Sequence, residues 1–83
     1  MAKFPRLKCR QLLTLLKRLG YTVDWQTGSH RQMSADGRKR ITLSYPEGAD
    51  VPPGVIRKNL VDQAGLSEDE AIAFVEGRWK PKR

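Results

Sequence analysis

The side chain best suited to proton transfer is the single histidine, His30. An imidazole takes up and releases protons near neutral pH, as general acid or base catalysis requires. His30 follows a Gly28-Ser29 turn signal, Arg31 is its neighbour, and an Arg38-Lys39-Arg40 cluster lies across the next predicted hairpin. Cleavage of RNA by its own 2′-hydroxyl needs such a group, together with cations that stabilise the charged transition state. The set predicts an RNA-cleaving site, with an unused surface histidine as the alternative.

The residue inventory excludes most other catalytic sites. A single histidine rules out paired-histidine chemistry, and the single cysteine, Cys9, rules out an intramolecular disulfide or a cysteine-built zinc site. The acidic run Glu68-Asp69-Glu70 follows Ser67 with the spacing of a capping box at a helix start. No glycine-rich phosphate loop of the Walker type is present. We therefore expect neither a metal nor a cofactor.

Positive charge is concentrated in the first half of the chain. The net charge is +7, and residues 1–45 alone hold ten basic residues against two acidic ones. Such a surface attracts polyanions, because each neutralised phosphate releases counterions; a merely solubilising surface is the alternative. The predicted phosphate-binding residues are Arg31, Arg38, Lys39 and Arg40, with Lys17 and Arg18 as outer contacts.

Length and composition indicate one small globular domain over residues 1–83, with a core of about 8–77 and a mobile basic tail over 78–83. No apolar run approaches the roughly 18 residues of a membrane helix, and the N-terminus does not resemble a signal peptide. We therefore expect a cytoplasmic protein with no membrane segment.

Hydrophobic periodicity predicts one helix followed by three strands. Leucines recur at helical spacing over about residues 9–19, and Gly20 ends that helix. Apolar and polar residues then alternate over 21–26, 30–34 and 41–45, the pattern of half-buried strands joined by glycine-containing turns. These segments predict an antiparallel meander.

Strand alternation also assigns faces. Met33 belongs to the core, so His30 points away from it, to solvent or to a ligand. The same alternation assigns Trp25 and Tyr45 to the core rather than to a base-stacking surface. Trp79 could stack on RNA, insert into a partner or pack back on the domain, and these readings stay open.

Two further helices follow a proline-rich loop at 46–53. The first is predicted over about residues 55–64, where Arg57 and Lys58 form either a phosphate contact or a solvated face. The second opens with the capping box at Ser67. Strands grouped apart from helices, in the order α-β-β-β-α-α, predict an α+β fold with a three-stranded antiparallel sheet packed on helices.

The ordered segments LLKRLGYTVDWQTGSHRQM, DGRKRITLSYP and PPGVIRKNLVDQAGLS resemble the HicA (YcfA-like) family of toxin messenger-RNA interferases. The resemblance covers about residues 8–70. Its most specific pieces are the Gly28-Ser29-His30 step after an alternating strand and the segment that begins at Gly54 and ends with Ala64-Gly65-Leu66-Ser67. It implies a fold similar to a double-stranded-RNA-binding domain, which agrees with the element order above.

The resemblance also implies a function. The chain would be the toxin of a type II toxin–antitoxin system, a metal-independent endoribonuclease that cleaves messenger RNA with His30 as its one catalytic histidine. A HicB-like antitoxin would silence it, and the isolated toxin would be monomeric. The alternative is a non-catalytic RNA- or DNA-binding module of the same fold, in which His30 is incidental.

Overall fold

In the computed structural model, which describes residues 4–81, the three longer strands follow one another between the first helix and the later ones. In chain order the elements are β1 (Leu7–Lys8), α1 (Cys9–Arg18), β2 (Thr22–Thr27), β3 (His30–Ser34), β4 (Ile41–Leu43), β5 (Asp50–Val51), α2 (Pro53–Arg57), a π-helical segment (Lys58–Gln63) that continues α2, and α3 (Glu68–Val75). This confirms the predicted α+β class with a three-stranded antiparallel sheet, and adds two very short strands. Within the described residues, no helix is long and apolar enough to cross a membrane.

Helix α1 buries the leucine stripe that its spacing predicts. Leu12 and Leu16 are fully buried one turn apart. The helix ends in a Schellman motif, in which the backbone N–H of Tyr21 donates to Leu16 O (3.1 Å) and that of Gly20 donates to Lys17 O (3.0 Å). Gly20 adopts φ +99°, a conformation that L side chains rarely take. The sharp reversal leads directly into the sheet.

Strands β2, β3 and β4 form the meander that the sequence predicts, in the order β2-β3-β4. In β3, buried Arg31 and Met33 alternate with exposed His30 and Gln32. Met33 joins the leucines of α1 and Ile56 in one hydrophobic core, so the helices cover one face of the sheet. We call the other face the open face; it comprises Trp25, Thr27, His30, Gln32, Ser34, Arg40, Thr42 and Ser44.

An irregularity in β2 overturns one prediction. Strict alternation assigns Trp25 to the core with Val23, but Trp25 is 53% exposed. The pairing register with β3 shifts between the two residues: Val23 lies opposite Met33, whereas Trp25 lies opposite Gln32. Asp24 is the extra residue of a β-bulge, and a one-residue insertion moves every later side chain to the other face. Trp25 therefore stands on the open face. Tyr45, in contrast, packs against the core as predicted.

The N-terminal segment contributes more than the predicted core of 8–77 implies. Phe4 is buried, and β1 pairs antiparallel with β5 through Leu7 opposite Val51 and Lys8 opposite Asp50. Lys8 Nζ also lies 2.9 Å from Asp50 Oδ1. Two-residue strands carry no alternation, so their pairing could not be predicted from periodicity.

The C-terminal elements follow their local signals closely. α3 opens with the predicted capping box, in which Glu70 N donates to Ser67 Oγ (3.1 Å) and Ser67 N donates to Glu70 Oε1 (3.0 Å). Trp79 packs edge-on against Phe74, with ring centroids 5.5 Å apart, so of its three readings the structure supports packing on the domain. Lys82 and Arg83 of the predicted tail lie outside the described residues.

Candidate functional site

His30 stands on the open face at the first position of β3 and is exposed. The preceding turn contains Gly28 at φ +58°, a left-handed conformation that allows β2 to reverse directly into β3. His30 Nδ1 is hydrogen-bonded to Ser44 Oγ at 3.0 Å. A partner on Nδ1 fixes the orientation of the ring, so Nε2 is the atom presented to a substrate.

Arg31 lies beneath His30 on the other side of the sheet, where it is only 4% exposed. Its guanidinium donates to Tyr45 O (2.8 Å) and Ser29 O (3.2 Å). Ser29 directly precedes His30, and Tyr45 follows Ser44. Arg31, predicted to bind phosphate, therefore occupies a buried position in which it ties together the two chain segments that carry His30 and Ser44.

Cys9 is the third neighbour of Arg31, and the pKa of its thiol shows that Arg31 is not paired with a thiolate. Burial raises the pKa of Cys9, and the nearby guanidinium of Arg31 lowers it only in part. Arg31 Nη1 lies 3.7 Å from Cys9 Sγ. The thiol is thus neutral at physiological pH, and among the described residues no carboxylate forms an ion pair with Arg31. Backbone carbonyls are the acceptors for this buried cation.

Arg38 and Lys39, two more predicted phosphate contacts, lie at the far end of the sheet from His30. Arg38 donates to Ala64 O (2.6 Å) and Leu19 O (3.3 Å), so it caps the carboxyl ends of α1 and of the π-helical segment. The backbone of Lys39 is also engaged, because its carbonyl accepts a hydrogen bond from Tyr21 Oη at 2.7 Å. Its side chain is exposed.

Arg40 is the predicted cation that the structure places on the open face. Its Nη1 lies 3.4 Å from Gln32 Oε1 and 3.6 Å from Asp24 Oδ2. Gln32 is two residues from His30 along β3, on the same face. Arg40 is thus an exposed cation beside Gln32, which shares the face of His30. The carboxylate of Asp24 partly neutralises its charge.

Lys17 and Arg18 line an open cleft between the end of α1 and the β3–β4 turn. The cleft also includes Ser34 and Arg38. From His30 to Ser34 the strand advances four residues, about 13 Å. The structure therefore places Lys17, Arg18 and Arg38 away from His30, and Arg40, which contacts Gln32, lies on the sheet between them.

Two residues of the site were missed at the level of sequence. Ser44 holds the histidine ring. Alternation in the third predicted strand already places Ser44 on the face opposite to that of Leu43, so its position on the histidine's face was predictable. Trp25 reaches the open face only because of the bulge, and no local sequence pattern predicts that bulge. Across residues 4–81 there is no group of three or more His, Cys, Asp and Glu side chains that could hold a metal ion.

Comparison with known proteins gives one clear result. The family model described as HicA toxin of bacterial toxin–antitoxin matches residues 9–66, well over half of the chain. This span contains His30, the bulge and the whole three-stranded sheet. No curated protein and no solved structure gives a significant match. Because the match covers more than half of the chain, including α1, the three-stranded sheet and α2 with its π-helical continuation, the chain belongs to the HicA family of toxins from bacterial toxin–antitoxin systems.

Proposed function

We propose that this HicA toxin is a metal-independent endoribonuclease that cleaves messenger RNA, with His30 as its general acid or base. The observation that carries the proposal is the exposed imidazole with its Nδ1 held by Ser44 Oγ at 3.0 Å. It stands on a sheet face that no helix within residues 4–81 covers, so an extended nucleic acid can approach it. Gly28 and Ser29 supply the turn that supports it.

The chemistry uses the nucleophile that RNA itself carries. The 2′-oxygen attacks the adjacent phosphorus, a 2′-O–P bond forms and the P–O5′ bond breaks, which leaves a 2′,3′-cyclic phosphate and a 5′-hydroxyl. One proton leaves the 2′-hydroxyl and one reaches the departing 5′-oxygen. With Nδ1–H donated to Ser44, Nε2 of His30 can accept the first proton when neutral or supply the second when charged. Water completes the other transfer.

Phosphate binding is assigned to the exposed cations. Arg40 is on the open face, and Lys39, Lys17 and Arg18 lie toward the far end of the path along it. Arg31 and Arg38 have their guanidiniums on backbone carbonyls, so we assign them to holding the site rather than to contacting RNA. The resulting surface is an open, basic track that leads to the histidine.

A non-catalytic RNA- or DNA-binding module is the alternative function. It would use the same charge but not the imidazole. The hydrogen bond between Nδ1 of His30 and Ser44 Oγ favours catalysis, because a histidine that only contributes surface needs no partner to fix its ring.

The partner implied by a toxin–antitoxin family is an inhibitor, and we propose a HicB-like antitoxin whose acidic surface covers the open face. The isolated toxin would be a cytoplasmic monomer. Complementary charge would speed the encounter and exclude RNA from the same residues.

The decisive experiment compares wild type with His30→Ala on a 5′-labelled, unstructured RNA in the presence of EDTA. We expect wild type to cut and the variant to lose about 10²–10⁴-fold in rate, with folding unchanged by circular dichroism. Lys58→Gln, purified in the same way, keeps His30 and is the control for general loss of charge. DNA of the same sequence and RNA methylated at its 2′-oxygens should both stay intact. Cleavage by His30→Ala, or its loss in EDTA, would refute the proposal.

A further inference from the structure

We propose that Trp25 is a stacking platform for an unpaired base of RNA next to the phosphate presented to His30, and that the toxin therefore acts on single-stranded RNA. The inference rests on the proposed function, and it adds the substrate class and a specificity residue. It is carried by the position of Trp25, which is the most exposed large hydrophobic residue of the described chain, at 53%.

The bulge at Asp24 directs the indole to the face that holds the histidine. Trp25 pairs with Gln32, and Thr27 pairs with His30. Side chains directly opposite one another in an antiparallel pair share a face, and their diagonal neighbours are about 7–8 Å apart, within reach of an aromatic side chain. Trp25 and His30 are diagonal neighbours of this kind. The indole thus lies beside the candidate catalytic ring, not at a remote surface.

The chemistry of the surroundings selects a nucleic acid as the occupant. Gln32 is paired with Trp25 on one side, and its Oε1 lies 3.4 Å from Arg40 Nη1, so an exposed aromatic side chain and an exposed guanidinium flank the same residue of the sheet. The first half of the chain carries ten basic residues against two acidic ones. An aromatic ring can stack on a base of any identity, and nearby cations bind the phosphates of the backbone.

The position of this platform favours a single strand over a duplex. Bases in an A-form duplex are stacked in pairs, and only groove edges and the backbone are accessible to a protein. Base–indole stacking on a flat sheet face requires an unpaired base that can turn outward. The bulge would then have a functional consequence, because a regular β2 would direct the tryptophan into the helix-covered side.

The test measures RNA affinity in a His30→Ala background, so that no substrate is cut and the outcome does not depend on cleavage. Fluorescence anisotropy with a labelled, unstructured RNA 12-mer compares Trp25, Trp25→Ala and Trp25→Phe. We expect Trp25→Ala to bind about 5- to 150-fold more weakly, and Trp25→Phe to recover much of the loss. Val23→Ala is the matched control, because Val23 is also an exposed apolar residue of β2 but lies on the opposite face.

Two further probes make the result specific. An abasic RNA of the same length keeps the phosphates and lacks the bases, so His30→Ala should bind it equally well with and without Trp25→Ala. A labelled RNA duplex should likewise show no difference. Unchanged affinity of Trp25→Ala for the 12-mer, or an equal loss on all three probes, would overturn the stacking proposal. Neither result would bear on cleavage by His30, which the preceding experiment tests separately.

Discussion

Ser44 Oγ lies 3.0 Å from Nδ1 of His30, across the pair formed by β3 and the end of β4. The two residues are 14 positions apart, so the contact depends on the register of the sheet rather than on a local turn. Arg31 reinforces that register from the buried side, by hydrogen bonds to the carbonyls of Ser29 and Tyr45. Positioning of the candidate catalytic ring is thus a property of both sheet faces.

Ser44→Ala should slow RNA cleavage without unfolding the protein. The hydroxyl holds the imidazole through one hydrogen bond with a net value of about 0.5–1.5 kcal/mol, so we expect a loss of about 2- to 10-fold in kcat. KM should stay constant, because Ser44 does not contact the backbone of the RNA in our proposal. Ser44→Thr retains the hydroxyl and should recover the rate. Full activity of the alanine variant would show that the ring needs no such support.

Arg31→Met should reduce stability rather than RNA affinity. The substitution removes the donor of two carbonyls, those of Ser29 and Tyr45, and an unsatisfied buried acceptor costs about 1–3 kcal/mol. Denaturant unfolding should report a loss in that range. Arg40→Met is the matched control: it removes an exposed guanidinium, and its free energy of unfolding should change by no more than about 0.5 kcal/mol. Equal stability of both variants would contradict the anchoring role.

Arg31 illustrates which features of the site the sequence predicts and which it does not. Arg31 is two residues from Met33, which alternation assigned to the core, and the structure buries both, so the burial of Arg31 was predictable from the strand period. Its charge alone suggested phosphate binding and gave no sign of the two carbonyls to which it donates. The leucine stripe of α1 and the capping box at Ser67 were predictable because each is a local signal. The bulge at Asp24 was not, because it depends on pairing between strands.

Stability should fall at alkaline pH through Tyr21. Burial raises the pKa of its phenol above the ordinary value of 10.0, with Arg38 opposing the change in part. The unfolded chain therefore loses this proton first, and the contribution to stability is complete below about pH 10 and disappears as pH rises through the folded-state pKa. Tyr21→Phe removes the titrating phenol and with it this pH-dependent contribution to stability. It should be less stable by about 0.5–1.5 kcal/mol at pH 7, where the hydrogen bond to Lys39 O is lost.

The measurement is urea unfolding between pH 7 and pH 11. The difference in stability between wild type and Tyr21→Phe should shrink above pH 10. Cys9, whose pKa is raised from 9.0 by burial, remains in both proteins, so its own alkaline effect cancels in the comparison. A difference that grows with pH would mean that the folded state favours the phenolate, contrary to the burial of Tyr21.

Asp24 and Arg40 should have opposite effects on RNA binding. Their side chains are 3.6 Å apart on an exposed surface, so the ion pair contributes little to stability, and each charge remains available to the electrostatic field of the open face. Asp24→Asn removes the carboxylate beside Arg40 and should tighten binding of unstructured RNA by about 2- to 5-fold at low salt. Arg40→Gln should weaken binding and lower the magnitude of the salt slope by about 0.7, the value for one phosphate contact on a single strand. Lys58→Gln, which removes a cation from the helix layer, should leave that slope unchanged. The measurement is the RNA affinity of each variant at several salt concentrations, which gives the salt slope. An equal change of this slope in Arg40→Gln and Lys58→Gln would mean that the RNA does not bind on the open face.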